Sequence, residues 1–270
     1  MKKVKVSVVT PAYNAEKFLP EAIESILNQS YQNFEYIVID DCSIDKTRKI
    51  IQHYGKKDKR IIAVSNEKNL GIAGNRNKGV SLAKGEYLIW QDADDISLPR
   101  RIERQVAFMD RHPKVGICGG FLQFFDQSGL RERRKYASDD KTLRSKIFRY
   151  SPVAQPAAII RKKCLDEAGE YDLNYPPAED IDMSFRIGRK YHFANLQETV
   201  IYYREHLNSA TFRKLKIMEL NTLKIRRKYV KGWGYKMTLA DTVYNILQFY
   251  SIFIIPPKWK IWLFNKIRNS

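Results

Sequence analysis

The sequence predicts an α/β protein: a mostly parallel central sheet layered between helices, with a helical C-terminal appendage. Three observations predict it. From Val4 to Asp95, short β-branched runs alternate with stretches of helical period, the pattern of βαβ units with right-handed crossovers. Three of those strands end in polar clusters, Tyr13/Asn14, Asp40/Asp41 and Asp92/Asp94/Asp95. The clusters therefore share the rim where parallel strands end, which is where open α/β sheets hold their ligands. Beyond Gly129 the regular alternation stops, and the last part of the chain is basic and aromatic.

Val4 to Thr10 reads as the first strand, stopped by the loop Pro11-Ala12-Tyr13-Asn14. Phe18, Leu19, Ala22, Ile23, Ile26 and Leu27 then fall on one face of a helix. Phe34 to Ile39 is a second strand, ending in Asp40-Asp41. Ser43 and Asp45 are candidate caps for the next helix, with Ile50, Ile51 and Tyr54 inward. Ile61 to Val64 is a third strand, and the loop Asn66 to Gly71 leads into a helix carrying Asn75, Arg76 and Asn77. Tyr87 to Trp90 is a fourth, buried strand. A helix after Pro99 to about His112, a strand from Val115 to Phe125 and a turn at Asp126 to Gly129 follow. The spacing then predicts a helix near Asp139 to Arg149, a strand near Ala157 to Arg161, and a helix opened by Tyr175-Pro176-Pro177 with Ile181, Phe185 and Tyr191 on one side.

The fourth strand runs into three carboxylates within four residues, Asp92-Ala93-Asp94-Asp95. Like charges that close repel and raise one another's pKa, and a hard divalent cation is the usual remedy. A single Asp could cap the helix near Pro99; three exceed what a cap needs. Neither a GxGxxG nor a GxxxxGK[ST] run is present, so no glycine loop cradles phosphates here, and a phosphate ligand would need a cation instead. Glu179, Asp180 and Asp182 sit in the first turn of their helix. There the helix dipole alone favours acids, but a carboxylate beside a loop is also placed to take a proton from a hydroxyl. Arg131, Arg133, Arg134 and Lys135 read equally as a solvated strand face or as a contact for an anionic acceptor.

Composition narrows the class. With 270 residues, 44% hydrophobic and 29% charged, the chain can bury a sizeable core. A formal net charge of +18 calls for an anionic partner. Cys42, Cys118 and Cys164 are scattered, which suits a reducing compartment and gives neither a disulfide framework nor zinc spacing. The N-terminus enters a strand without an apolar leader, so a cytoplasmic protein is expected.

Five fragments in order carry a family resemblance: Val9-Thr10-Pro11-Ala12-Tyr13-Asn14; Val38-Ile39-Asp40-Asp41-Cys42-Ser43; Asn69-Leu70-Gly71 with Asn75-Arg76-Asn77; Gly85-Glu86-Tyr87 with Asp92-Ala93-Asp94-Asp95; and Ala178-Glu179-Asp180-Ile181-Asp182. Together they resemble the family 2 glycosyltransferases of the GT-A fold, Cys42 standing where that family often has Gly. The resemblance implies an inverting transfer of sugar from a nucleotide-sugar, a UDP-sugar being the commonest donor, to an acceptor hydroxyl. It implies that Pro11, Ala12, Tyr13, Asn14, Asp40, Asp41, Asn69, Gly71, Arg76, Gln91, Asp92, Ala93 and Asp94 line the donor site. Asp94, Asp95 and His206 would hold Mn²⁺ or Mg²⁺, and Asp180, beside Glu179, would be the base. It also divides the chain into a catalytic domain over 1–212 (a nucleotide-sugar half, 1–112, and an acceptor half, 113–212) and a C-terminal region over 213–270.

That C-terminal region opens with nine Lys/Arg between Arg213 and Lys236 against Glu219 alone. Val243 to Ile255 is mostly apolar, Pro256-Pro257 stops it, and Lys258-Trp259-Lys260 resumes the basic-aromatic mixture. A spanning helix needs ~20 apolar residues, so this run suits a helix lying on an anionic membrane surface rather than across it. The expected place is the inner face of the cell membrane, with a glycan or lipid-linked acceptor of cell-surface polysaccharide or lipopolysaccharide synthesis. A nucleic-acid-binding protein would account for the charge, but its ligand rim would be basic, and this one is acidic, so no nucleic-acid partner is expected. A nucleotidyltransferase would also gather carboxylates around metal, and would release pyrophosphate.

Overall fold

Period-two alternation puts Val6 and Val8 of β1 (Val6–Ala12) on one face of a sheet and Val9 on the other. The same split occurs in β2 (Phe34–Asp40), with Tyr36 and Val38 against Ile37 and Ile39. In β4 (Tyr87–Trp90) it sets Tyr87 and Ile89 against Leu88 and Trp90. Strands apolar on both faces must be covered twice. One side is closed by α1 (Leu19–Leu27), α2 (Thr47–Lys57) and α4 (Arg101–Arg111) through Leu19, Ile23, Ile26, Ile51, Ile102, Val106 and Met109. The other is closed by α3 (Gly71–Leu82), α5 (Asp140–Ser145), α6 (Lys162–Ala168) and α7 (Glu179–Gly188).

The computed structural model describes residues 4–206, 214–230, 233–256 and 259–260. The boundary expected at 212/213 and the tail residues Arg213, Lys231, Pro257 and Lys258 lie outside the described residues. Among the described residues nine strands form one sheet, in the order β3 (Ile61–Ser65), β2, β1, β4, β8 (Ile159–Arg161), β6 (Val115–Asp126), β9 (His192–Arg204) and β5 (Ile96–Ser97), with β7 (Gly129–Arg134) paired to β6. The sheet is parallel from β3 to β4, as expected, and mixed beyond, where β8 runs antiparallel to both β4 and β6 while β6 and β9 are parallel.

Several elements end elsewhere than the sequence suggests. β1 does not stop at Thr10 but continues through Pro11 and Ala12, paired with Ile39 and Asp40 of β2. Proline is tolerated because pairing with β4 has already ended at Val9↔Trp90, so the strand is an edge there and needs no second set of donors. The predicted helix over Asp139 to Arg149 is shorter, Asp140–Ser145, capped by Asp139, whose side chain accepts from the Thr142 backbone N–H. α7 ends at Gly188, before Tyr191, where the chain must turn into β9. Ser43 caps nothing: its hydroxyl accepts from the Asn14 N–H, and Asp45 accepts from the Thr47 N–H at the head of α2. Arg131 is paired with Asp126 at 3.0 Å, and Arg134 lies over Phe124, on the exposed strand β7.

The C-terminal helices are α8 (Leu215–Tyr229) and α9 (Leu239–Ile254). Ile225, Tyr229 and Tyr235 belong to the same core as Phe185 and Phe148, with Phe185 stacked on Tyr229 at 4.6 Å. No described helix is long and apolar enough to cross a membrane.

Two glycines let neighbouring elements close on β1. At Gly79 a Cβ would lie 2.6 Å from Val9 Cγ1, so glycine lets α3 settle against β1 and carry Arg76 to the rim. At Gly85, before β4, a Cβ would meet only backbone, the Ser7 nitrogen at 2.5 Å and the Val6 carbonyl carbon at 2.7 Å. Backbone in a paired strand cannot swing aside. Gly85→Ala is therefore expected to cost about 2 kcal/mol in a urea titration; a loss under about 0.5 kcal/mol would show that β1 and β4 tolerate separation.

Candidate active site

The loop after β4 is built from inside. Gln91 is fully buried, and its amide donates to the Asp92 and Asp95 carbonyls at 3.1 and 2.8 Å, while its oxygen accepts from Ser97 Oγ at 2.6 Å. Beneath it lies Arg101, 1% exposed, donating to the Trp90 carbonyl at 3.0 Å and to Ser97 Oγ at 2.9 Å. The strand end is thus held by one buried guanidinium and one buried amide, and the Asp92 and Asp94 side chains are left partly buried at the rim. Asp95 turns the other way: it is buried, its Oδ1 accepts from the Arg204 backbone N–H at 2.9 Å, and its Oδ2 has no hydrogen-bond partner. Arg204 also donates to the Asp94 carbonyl at 2.8 Å and pairs with Glu21, fastening the end of β9 to the acidic loop. This brings His206 to Asp94, Nε2 to Oδ2 at 2.8 Å, with its ring 5.0 Å from that of Phe18.

The neighbouring strand ends supply the rest of the rim. Tyr13 is half exposed after β1, and Asn14 adopts positive φ and accepts from the Ile44 N–H, tying the two loops together. Asp40 accepts from the Ser43 N–H at 3.2 Å. Asp41, also buried, is spent on the loop before α3: it accepts from Asn66 Nδ2 and from the Leu70 and Gly71 N–H groups at 2.9, 2.7 and 3.0 Å. Asn69 Nδ2 donates to the Asp41 carbonyl at 3.2 Å. A carboxylate receiving backbone donors at a helix start is well compensated, and here it shapes the wall beside Tyr13. Ala93 packs against the core on the α1 side.

The third component comes from the far half of the chain. Glu179, at the first position of α7, is 1% exposed and paired with Arg76 at 2.8 Å. The Arg76 guanidinium lies over the rings of both Trp90 and Tyr171, 5.6 and 5.5 Å from their centroids. Trp90 Nε1 donates to Tyr171 Oη at 3.1 Å, and Asn77 exchanges two hydrogen bonds with the Tyr171 backbone, so this residue anchors the segment leading to α7.

The electrostatics bind these parts into one site. Burial pushes Asp92 up to about 6, Asp94 adding to the effect and Arg76 opposing it. Asp95 is also raised well above the usual carboxylate value, again by burial and then by Asp94 and Asp92. Glu179 and Asp180 are both raised by burial against the pull of Arg76, with Asp180 adding to the rise at Glu179. Arg76 itself is opposed by burial yet rises, because Glu179, Asp180 and Asp92 all lie within its field. One guanidinium therefore stands between the acids after β4 and the acids of α7.

A model of the family described as Glycosyl transferase family 2 matches residues 7–169, more than half of the chain. The chain belongs to that family. The glycosyltransferase is 31% identical over 278 residues to an uncharacterized glycosyltransferase of Methanocaldococcus jannaschii, an alignment covering 100% of this chain and 96% of that one. It is 30% identical over 226 residues to the UDP-Glc:alpha-D-GlcNAc-diphosphoundecaprenol beta-1,3-glucosyltransferase WfaP of Escherichia coli, covering 81% and 85%. Its fold is that of S. aureus TarS 1-349, solved in complex with UDP (TM-score 0.68, 21% identity, 94% and 73% covered). The mannosyltransferase PcManGT of Pyrobaculum calidifontis, solved with GDP-Man and Mn²⁺, shares it too (TM-score 0.66, 17% identity, 94% and 71% covered). The GT-A expectation for the fold thus holds.

In this glycosyltransferase, Arg101, Tyr171 and Arg204 are the structural members that sequence reasoning missed. One Arg among the several at the head of a helix, a Tyr in a turn and an Arg at a strand end carry no local signal. Each matters through a partner distant in sequence. Among the described residues no group of three or more His, Cys, Asp or Glu is placed to hold a metal ion unaided. Asp94 and His206 remain as an accessible pair. A cation that keeps waters and substrate phosphates needs only one or two protein donors; the Asp94 carboxylate supplies a hard one and the His206 imidazole a softer one that Mn²⁺ accepts more readily than Mg²⁺, so the residues present fit.

The raised acids set a pH dependence. A carboxyl raised in the folded state favours that state while protonated, so its contribution is present below its unfolded pKa near 4 and is lost as pH rises through about 6. Asp92→Asn should therefore stabilise the metal-free protein at pH 7.5, by about 3 °C or more in Tm, and the gain should vanish near pH 4. A variant no more stable at pH 7.5 would mean that Arg76 and Arg101 already neutralise the cluster.

Proposed function

We propose that this enzyme transfers a glycosyl group, with inversion, from a nucleoside diphosphate sugar to an acceptor hydroxyl. A UDP-sugar is the foremost donor, and the acceptor is a lipid-linked or surface-polysaccharide precursor met at the inner face of the cell membrane. The observation that carries the reading is the convergence on Arg76 of acids from two ends of the fold, Asp92 after β4 and Glu179 and Asp180 at the start of α7. One acid set suits the diphosphate side and the other the acceptor side of a reaction centre between them. Support for the donor and acceptor classes comes from WfaP, whose name specifies UDP-Glc and a diphosphoundecaprenol-linked sugar, and from the nucleotides in the TarS and PcManGT structures.

Tyr13 offers an exposed ring for the base, between walls held by Asn14, Asp41 and Asn69. Asp94 and His206 would hold Mn²⁺ or Mg²⁺, whose charge offsets that developing on the departing diphosphate. Asp180 accepts the acceptor's proton as the acceptor oxygen bonds to the anomeric carbon. The bond from that carbon to the phosphate oxygen breaks, and its electron pair leaves with the nucleoside diphosphate. The elevated pKa of Asp180 brings it nearer the working pH, where a base is most effective. Glu179 acts through Arg76, positioning it toward Asp92. Asp95 holds the backbone of Arg204 and so places His206.

Asp180→Asn should keep donor binding, read as an unchanged thermal shift with UDP-sugar, and lose ~10²–10⁴-fold in kcat. Full turnover would move the base elsewhere. Asp94→Ala and His206→Ala should each weaken the Mn²⁺-dependent part of that shift; wild-type turnover in EDTA would remove the cation from the reaction. Release of pyrophosphate in place of nucleoside diphosphate would mark a nucleotidyltransferase.

A further inference from the structure

α9 is amphipathic the wrong way round for a helix packed on a soluble core. Its polar residues face the protein. Asp241 is 1% exposed and paired with Arg149 at 2.6 Å. Asn245 donates to the Phe148 carbonyl at 2.9 Å, and Asn245 and Gln248 both accept from Arg226 at 3.0 and 2.8 Å. Its apolar residues face outward: Val243, Ile246, Leu247, Tyr250, Phe253 and Ile254 are each about half exposed or more, Ile254 reaching 75%. These recur at the three- and four-residue steps of one helical face. A contiguous outward apolar stripe on a chain this charged marks a contact surface.

We propose that this face docks on an anionic lipid bilayer. The neighbouring helix supplies the charge. On α8, Lys216, Leu220, Leu223 and Arg227 follow one another at helical spacing along the flank beside α9; both basic residues are exposed, and Lys216 Nζ lies 5.0 Å from the Phe253 ring. An apolar face rimmed by Lys and Arg sinks into the headgroup region while its cations meet lipid phosphates. Trp259, exposed just beyond α9, suits the same depth. At 16 residues, α9 is about 24 Å long, too short to cross a bilayer, so it lies along it. A second copy of the chain is the poorer occupant, because pairing would bring two basic rims together on molecules that each carry +18. The docked plane is joined to the active centre. Asn221 of α8 donates to the Pro176 carbonyl in the loop that opens α7, and Lys228 and Tyr229 both donate to Asp182, each at 2.9 Å. Docking would thus fix the height of Asp180 above the membrane. This deepens the membrane-side reading above, and its test does not depend on turnover.

The full chain should co-sediment with vesicles of phosphatidylcholine and phosphatidylglycerol, and far less with phosphatidylcholine alone. Leu247→Glu with Phe253→Glu should lower partitioning by about tenfold or more on anionic vesicles. Lys216→Gln with Arg227→Gln should lower it about thirty-fold on anionic vesicles and hardly at all on neutral ones. All four positions are exposed or at the rim, so Tm and the UDP-sugar thermal shift should stay at wild-type values. Wild-type protein that ignores anionic vesicles, or a Leu247→Glu/Phe253→Glu variant that pellets like wild type, overturns the proposal. A lipid-independent dimer in sedimentation velocity that the same variant dissolves gives the face to a second copy and overturns it too. Vesicle binding that persists in a protein without any nucleotide-sugar shift upholds the docking surface and sinks the transfer reading instead.

Discussion

The burial of Arg76 between two sets of carboxylates is the constraint on which the rest of the site depends. Asp92, Glu179 and Asp180 all face a desolvation cost that pushes each toward its neutral form. A single guanidinium, itself nearly removed from water and lying over the Trp90 and Tyr171 rings, offsets that cost for all of them. Arginine suits the place because it stays charged when buried and can lie against aromatic faces, where a lysine would surrender its proton more readily. Without it, the acids after β4 and the acids of α7 would repel one another across the site.

The supporting architecture follows from that demand. Gly79 lets α3 press against β1, which delivers Arg76 to the rim. The Asn77–Tyr171 backbone exchange brings the segment before α7 to the same place. Arg101 and Gln91 hold the end of β4 from below, and Arg204 ties the end of β9 across it. The acidic rim is stable as a frame and uncomfortable as a charge distribution, the combination expected where a cationic or proton-bearing ligand completes the balance. The C-terminal helices extend the frame rather than hang from it: Tyr229 stacks on Phe185 and donates to Asp182 within the helix that carries Asp180.

The sequence by itself determined the local terms. Short continuous runs of Val, Ile and aromatic residues bounded by turn signals read as strands covered on both faces, and their order with intervening helices sets a parallel sheet whose ends gather Tyr13, Asp41 and Asp94 on one rim. These are effects of neighbours a few residues apart, and they survive in any reading of the chain. What only the tertiary structure decided is which way each polar group turns and whom it meets. Asp94 meets His206 while Asp95, the next residue, turns inward to Arg204, and Glu179 finds Arg76 from about 100 residues away in the chain. α9 likewise sends its polar side inward, because Arg226 and Arg149 are there to be satisfied. Such choices are settled by the desolvation of charges against partners brought from far along the chain, and no local pattern encodes a partner that only folding supplies.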